Sequence, residues 1–504
     1  MMLSPMLLNA QGKTHNFLIG YGAVLDSFTT SSYGRLLFNY NSVSAIGENR
    51  KMPFRITQAN ISDENGNLLM VSNGCWIADA TGDTMVNGSG LNPNSFTNDY
   101  CVIAPRGLPL SHGNIFLPYP SHPNKYILFH QTGDYNASVA GVSTELYYSE
   151  IDLLLNNGLG AVTTKNQNIL NDNLVWGLAA CKHANGRDWW IIALKDASTL
   201  IHKFLLDSSG INYMGAQNLG FPAPFTGNAT QTLFSPDGNK FAYTSGRGGG
   251  VSTAFHDVRL FNFDRCSGNF TGLEYIAIND SSTGFSLAFS PDSKYLYHSS
   301  FQKIYQFNTD TSSIAASKTT VAVNDVFYSP YPPLSTNFWY MYLAANGKIY
   351  ISSGNGVVDF HYINYPDSAG MACDVHLHDL HLPCYSFRAN VYHPNYYLGC
   401  DTTSGCPCLI PTTGINEISQ HDFKFKISPN PNNGNFKIMY LLPQNEKGKL
   451  EIFDINGRAV YSQNLPQWST LQFISLPKLS NGVYNCTITS DGNRVHKKLV
   501  VLNE

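Results

Sequence analysis

Six short segments, spaced a little over fifty residues apart, share one local pattern: an apolar run, a tight turn and a second apolar run. It is clearest in Thr232-Leu-Phe-Ser-Pro-Asp-Gly-Asn-Lys-Phe-Ala-Tyr, Leu287-Ala-Phe-Ser-Pro-Asp-Ser-Lys-Tyr-Leu-Tyr and Met341-Tyr-Leu-Ala-Ala-Asn-Gly-Lys-Ile-Tyr-Ile. Weaker copies are Ile61-Ser-Asp-Glu-Asn-Gly-Asn-Leu-Leu-Met, Pro120-Ser-His-Pro-Asn-Lys-Tyr-Ile-Leu-Phe and Cys181-Lys-His-Ala-Asn-Gly-Arg-Asp-Trp-Trp-Ile. Proline pre-sets φ at one turn position, and Asp-Gly or Asn-Gly supplies residues that tolerate positive φ, so each copy predicts a β-hairpin. The turn positions Gly66, Asn124, Gly186, Gly238, Ser293 and Gly347 are separated by 58, 62, 52, 55 and 54 residues. A period just above fifty with several strands per repeat is that of a β-propeller blade, and solenoid repeats are usually shorter. Residues 12–400 at about 55 per blade give about seven blades. The seventh is expected to be shared between Asn16-Phe-Leu-Ile-Gly-Tyr and Asn390-Val-Tyr-His-Pro-Asn-Tyr-Tyr-Leu-Gly, closing the ring and removing exposed strand edges.

Composition agrees with many short strands and turns. Aromatics make up 13% of the chain, with 42 Gly and 25 Pro to supply turns. Charged residues are also 13% and the net charge is −4. That excludes a nucleic-acid binder, which needs a basic stripe to neutralise phosphates. No stretch reaches the roughly 20 apolar residues that cross a bilayer as a helix. Met1–Ala10 is short and apolar and reads as the tail of a secretory signal peptide, residues 1–11, with cleavage at Ala10. It lacks a basic n-region, so the chain is expected to begin inside the signal. An ordinary frayed N-terminus is the alternative.

Ten cysteines suit an export route. Five lie close together, Cys373, Cys384, Cys400, Cys406 and Cys408, and one or two disulfides are expected among them. Cys406-Pro-Cys408 is neither a zinc knuckle nor a CxxC redox motif. Cys486 lies in a strand pattern and reads as a buried thiol.

The one metal candidate is Cys373-Asp-Val-His-Leu-His-Asp-Leu-His-Leu-Pro-Cys384. On a strand, His376 and His378 would share a face and, with Asp374, could hold zinc or copper. A strand with exposed histidines explains the same residues, so no metal ligand and no cofactor is assigned. Gly246-Arg-Gly-Gly-Gly250 lacks the Lys-Ser/Thr and the spacing of a phosphate loop. No nucleophile elbow, HExxH or paired-carboxylate pattern is present, so no catalytic residue is assigned and the chain is read as non-enzymatic. The alternative is a secreted hydrolase or lyase with its groups gathered in the propeller channel.

Residues 406–423 read as a linker, interrupted by Pro, Thr and Gly, and a new pattern follows over 424–504. Phe425-Lys-Ile-Ser-Pro-Asn-Pro-Asn-Asn-Gly-Asn-Phe, Leu450-Glu-Ile-Phe-Asp-Ile-Asn-Gly-Arg-Ala-Val-Tyr and Leu479-Ser-Asn-Gly-Val-Tyr-Asn-Cys-Thr-Ile predict strands and hairpins. Several strands in about eighty residues suggest a small immunoglobulin-like β-sandwich.

Two resemblances follow. The segments Gly20-Tyr-Gly-Ala-Val-Leu-Asp-Ser-Phe28, Leu146-Tyr-Tyr-Ser-Glu-Ile-Asp and Pro394-Asn-Tyr-Tyr-Leu-Gly-Cys400 resemble the propeller regions of secreted and gliding-associated Bacteroidetes proteins over residues 16–401. That family implies a propeller and no shared catalytic residues. The last eighty residues closely resemble the type A C-terminal sorting domain of type IX secretion. The matching residues are Pro429, Asn430 and Pro431 with Gly434, then Asp454 and Gly457, then Gly482 and Tyr484, and finally Lys497 and Lys498. The resemblance implies recognition by the type IX translocon and sorting machinery. It places the protein in the medium or on the outer-membrane surface. The expected whole is an all-β chain: a propeller over 12–405 with an unknown protein or glycan ligand, then the linker, then the sorting sandwich.

Overall fold

The structure is a computed structural model. It describes residues 12–409, 425–440, 448–465, 471–490 and 493–502, apart from residues 24, 40–41, 65, 136–141, 221–230, 248–254, 281 and 477. Ala10 lies outside the described residues, as do 410–424 of the expected linker. The chain divides into two compact units, residues 11–410 and 411–504.

The first unit is a seven-bladed β-propeller. Six blades are four-stranded antiparallel meanders: residues 59–89, 114–171, 174–218, 232–278, 284–323 and 341–387. The strand Ala161–Lys182 serves two of them. Its first part pairs with Ser143–Asp152 and its last part with Trp189–Lys195. Residues 16–48 form the remaining blade, with three strands. All six predicted turn residues join the first two strands of a four-stranded blade, and each adopts positive φ, from 65° at Asn124 and Ser293 to 84° at Gly66. Positive φ explains the choice of Gly and Asn there. Ser293 holds the same conformation without glycine's freedom.

Burial follows strand position. Inner and second strands are covered on both faces by neighbouring blades, so Trp189–Leu194 and Tyr295–Ser300 are buried at every residue. Outer strands alternate, as in Asn269–Ile278. The hydrophobic core therefore lies between blades rather than at one centre. Leu233, Leu260 and Ile276 of one blade pack with Leu287, Phe289 and Phe307 of the next. Complete burial of such a side chain contributes about 1.5–3 kcal/mol.

Closure of the ring differs in detail from the expectation. Ala389 and Val391 join Phe17, Ile19, Leu36 and Phe38 in one apolar cluster. Residues 388–400, however, form no strand and make no described ladder with Asn16–Ile19. Side chains, rather than a ladder, hold the segment in place. His393 Nε2 donates to the Asn60 carbonyl (2.9 Å), and Tyr342 Oη donates to His393 Nδ1 (2.8 Å). Tyr396 Oη donates to the Phe116 carbonyl (2.8 Å), Tyr392 Oη to that of Ala180 (3.1 Å) and Asn395 Nδ2 to that of Pro236 (2.8 Å). One short segment thus bonds five blades.

The disulfides are Cys75–Cys101, Cys266–Cys406 and Cys400–Cys408. Of the five clustered cysteines only Cys400 and Cys408 pair with each other. Cys406 reaches Cys266, while Cys373 and Cys384 are buried free thiols. Cys486 is a buried thiol as expected. The expected linker therefore starts late: residues 406–408 are tied to the propeller, and Leu409 N donates to the Asn185 carbonyl.

The second unit is a β-sandwich. One sheet contains Phe425–Ser428, Asn435–Tyr440 and Leu471–Ser475. The other contains Ala459–Leu465, Gly448–Phe453, Gly482–Ser490 and Asn493–Val501. Phe436, Ile438, Leu450, Ile452, Ile488 and Leu499 fill the space between them.

Candidate functional site

In an antiparallel meander, alternate connections emerge on opposite faces. The six hairpin turns therefore mark one face of the propeller, and the blade-to-blade connections mark the other. The second face carries residues 20–32, 49–58, 90–113 and 324–340, among them the longest described connections between strands of the unit. Long connections on a rigid scaffold are where binding groups usually lie.

Below this face the axis is filled. Gln231, 1% exposed, accepts from Leu287 N through Oε1 (2.8 Å) and donates through Nε2 to the Met341 carbonyl (3.1 Å). His112 Nδ1 donates to the Thr232 carbonyl (3.2 Å), which leaves Nε2 to accept from Gln231 Nε2 (3.1 Å). Asn390 Nδ2 donates to Ser111 Oγ (2.8 Å), and its Oδ1 accepts from Gln231 (3.3 Å). Three blades, the connection 90–113 and the closing segment meet in this group. Burial holds the His112 pKa down to about 4, so the ring is neutral. The axial groups are amide, imidazole and hydroxyl, already bonded to each other, with no carboxylate among them.

Above the axis the mouth is basic and aromatic. The Arg388 guanidinium lies 4.3 Å from the Trp339 ring centroid and 4.8 Å from that of Phe387, within cation–π range. Arg388 adopts the left-handed conformation, φ 51°, uncommon outside glycine. Trp339 and Tyr340 pack on Ile56, the neighbour of Arg55. Arg55 lies 5.5 Å from the Tyr100 ring centroid. Burial, and then the like charge of Arg55, lower the pKa of Arg388. Around this centre stand exposed aromatics: Phe28 (43%), Phe327 (40%), Tyr328 (45%) and Tyr331 (48%). Phe28 and Tyr331 lie 5.7 Å apart between ring centroids.

The histidine-rich strand does not converge on one point. His376 pairs with Asp374 (3.1 Å) and Asp379 (3.0 Å), His378 with Asp325 (2.9 Å) and His381 with Asp359 (2.9 Å). His378 has φ 41° and the pairing register shifts nearby, so the strict two-residue alternation that would align His376 with His378 is broken. Among the described residues no three His, Cys, Asp or Glu side chains are grouped to hold a metal.

The sorting-motif residues shape the sandwich. Asn430 Nδ2 donates to the Lys498 carbonyl (2.7 Å), and Val500 N donates to Asn430 Oδ1 (2.8 Å). Asn432, between Pro431 and Gly434, donates through Nδ2 to the Val500 carbonyl (3.1 Å). Pro429 and Pro431 hold this clamp at the surface. Gly434, φ 87°, turns the chain into the next strand. Asp454 Oδ1 accepts from the backbone of Asn456 (3.0 Å) and Arg458 (2.9 Å), while Gly457, φ 76°, completes that turn. Gly482 opens the strand that carries Tyr484, whose hydroxyl donates to the Ser480 carbonyl (2.8 Å). Lys497 and Lys498 are exposed on the last strand. The axial Gln231, the closing His393 and the mouth arginines were not singled out from the sequence. His393 immediately precedes the Pro394-Asn-Tyr-Tyr segment that the family resemblance marks.

Among solved structures, the chain is similar to a functionally unknown protein from Desulfotomaculum acetoxidans at 14% identity, covering 75% of this chain and 97% of that one, TM-score 0.38. It is similar to a protein from Lactobacillus plantarum at 9% identity, covering 91% and 99%, TM-score 0.34. It is also similar to a quinonprotein alcohol dehydrogenase-like protein from Bacteroides thetaiotaomicron at 11% identity, covering 72% and 76%, TM-score 0.37. No curated protein matches the chain. Residues 426–502 match the family model "Secretion system C-terminal sorting domain". With the clamp, turn and terminal strand of that segment in place, the C-terminal unit is the type IX sorting domain of an exported β-propeller protein.

Proposed function

We propose that the exported propeller is a non-enzymatic binding module, secreted or held on the cell surface, whose binding surface is the face bearing residues 20–32, 49–58, 90–113 and 324–340. The observation that carries this reading is the group of exposed aromatics on that face, centred on Phe28, Phe327 and Tyr331. Exposed aromatic rings gathered on one surface mark interaction sites more often than they occur by chance. The runner-up, a hydrolase or lyase with carboxylates in the channel, is disfavoured by an axis of mutually bonded Gln231, His112 and Asn390. The C-terminal unit directs the chain to the type IX machinery, which is its expected partner.

The test is a glycan and protein binding screen with the purified protein, repeated with Phe327→Ala/Tyr331→Ala. The expected result is at least one ligand bound by the parent and weakened about tenfold or more in the double variant, with no product released from any saccharide. Turnover of a ligand, or binding untouched by the double variant, would refute the reading.

A further inference from the structure

The mouth contains more positive charge than its surroundings balance. Arg50, nearby in sequence, is paired with Glu48. Arg55, Arg106 and Arg388 have no carboxylate partner among the described residues, and the undescribed stretches of residues 12–409 contain no Asp or Glu. The acids in the loops of this face are engaged elsewhere. Asp26 accepts from Tyr385 (2.7 Å), Asp99 from Tyr135 (2.9 Å), and Asp325 pairs with His378. Asp280 is held by His256 and Tyr305. Burial raises the Tyr21 pKa and the nearby charge of Arg106 opposes that rise, and the Tyr21 ring lies 6.2 Å from that of Phe387, the residue before Arg388.

A second observation is independent of charge. Arg55 Nε is buried and has no protein partner, and neither end of the Gln58 amide has one although that side chain is 1% exposed. Buried donors and acceptors are nearly always satisfied, and leaving one unmade costs about 1–3 kcal/mol. Arg388 opens the closing segment. Arg55, whose buried Nε has no partner, and the left-handed Arg388, which has no carboxylate partner, lie close enough for the charge of one to act on the other, and strained, unsatisfied positions concentrate at ligand sites.

We propose that this mouth binds an acidic saccharide, with Arg55 and Arg388 holding its carboxylate or sulfate group and the rim aromatics facing its ring. A guanidinium fork matches a planar carboxylate or a sulfate edge with two parallel hydrogen bonds. The apolar faces of a sugar ring suit the exposed Phe28, Phe327 and Tyr331 surfaces. A neutral ligand would leave two desolvated cations uncompensated, and a small inorganic anion would leave the aromatics unused. This inference deepens the binding-module reading and rests on it.

The test is calorimetric titration of the full chain with four probes: oligogalacturonate, a heparin hexasaccharide, malto-oligosaccharide and citrate. The expected result is binding of oligogalacturonate or the heparin hexasaccharide. Affinity should fall with added salt and drop about tenfold or more in Arg55→Gln and in Arg388→Gln. The two acidic probes distinguish carboxylate from sulfate. Arg388→Lys keeps the charge but not the fork and is expected to retain only part of the affinity. Arg106→Gln, an exposed change, reads the charge of the mouth should an Arg388 variant fail to fold. Malto-oligosaccharide binding as tightly as the acidic probes, citrate alone binding, or arginine variants without effect would overturn the proposal while leaving a binding module standing. No probe binding here and no ligand in the broader screen would remove both.

Discussion

Replacing Gln231 by Leu tests whether the filled axis ties the ring together. The side chain is 1% exposed and joins four groups: Leu287 N, the Met341 carbonyl, His112 Nε2 and Asn390 Oδ1, the last of which also has His112 Nε2 within hydrogen-bond distance. Leucine matches its size but can bond none of them. Each buried group left without a partner costs about 1–3 kcal/mol, and the added apolar burial returns about 1 kcal/mol. The net loss is about 3–5 kcal/mol. Unfolding entropy near 60 °C is about 2.1 cal/mol/K per residue, or about 0.8 kcal/mol/K for a propeller of this length. The melting temperature should then fall by about 4–6 °C. Gln217→Leu is the matched control. Gln217 also makes two bonds, from Phe270 N (3.0 Å) and to the Phe270 carbonyl (2.7 Å), but on an outer, half-buried strand where water can replace them. Its expected cost is about 1 kcal/mol. Differential scanning calorimetry of both variants beside the parent gives the comparison. If Gln231→Leu melts no lower than Gln217→Leu, the axial network does not hold the blades together and the reasoning fails.

Three further outcomes are expected. Burial lowers the pKa of His112 and His393 to about 4 and of His130 to about 3, against an ordinary value of 6.5. Between those values the unfolded chain takes up protons that the folded ring refuses, so stability falls as pH drops below about 6.5, by about 2 kcal/mol per histidine at pH 5; a melting temperature unchanged between pH 7.5 and 5 would contradict this. A Cβ at Gly284 would collide with the His256 and His298 rings, which bond each other at 2.7 Å, so Gly284→Ala should destabilise the propeller by about 2–3 kcal/mol in urea titrations. Asn430→Ala removes two bonds to the final strand; it should lower the melting transition of the sandwich by about 1–2 kcal/mol, leave that of the propeller in place and reduce surface display in a type IX host, and normal display of a destabilised sandwich would separate the clamp from sorting.

Much of this protein is local and therefore visible in its sequence. The turn residues Gly66, Asn124, Gly186, Gly238, Ser293 and Gly347 announce themselves because positive φ restricts residue choice at single positions, and their spacing counts the blades. The sorting domain is equally local: Asn430, Gly434, Asp454 and Gly457 make bonds or turns within one small sandwich, and their order along the chain carries the assignment.

What the sequence leaves open depends on residues far apart in the chain. Cys406 pairs across 140 residues with Cys266 rather than with its neighbours, because the ring brings the end of the propeller back to that blade. His376 and His378 separate because a bulge breaks the alternation that adjacency suggests. Gln231 meets His112, Met341 and Asn390 only because blades from every part of the chain converge on one axis. Arg55 and Arg388 sit 333 residues apart in sequence, and closure of the ring alone makes them one basic mouth. Turn chemistry and periodicity are properties of single segments, so the sequence by itself determined the blades and the export domain. The filled axis and the charged mouth are sums over segments, and only the tertiary structure decided them.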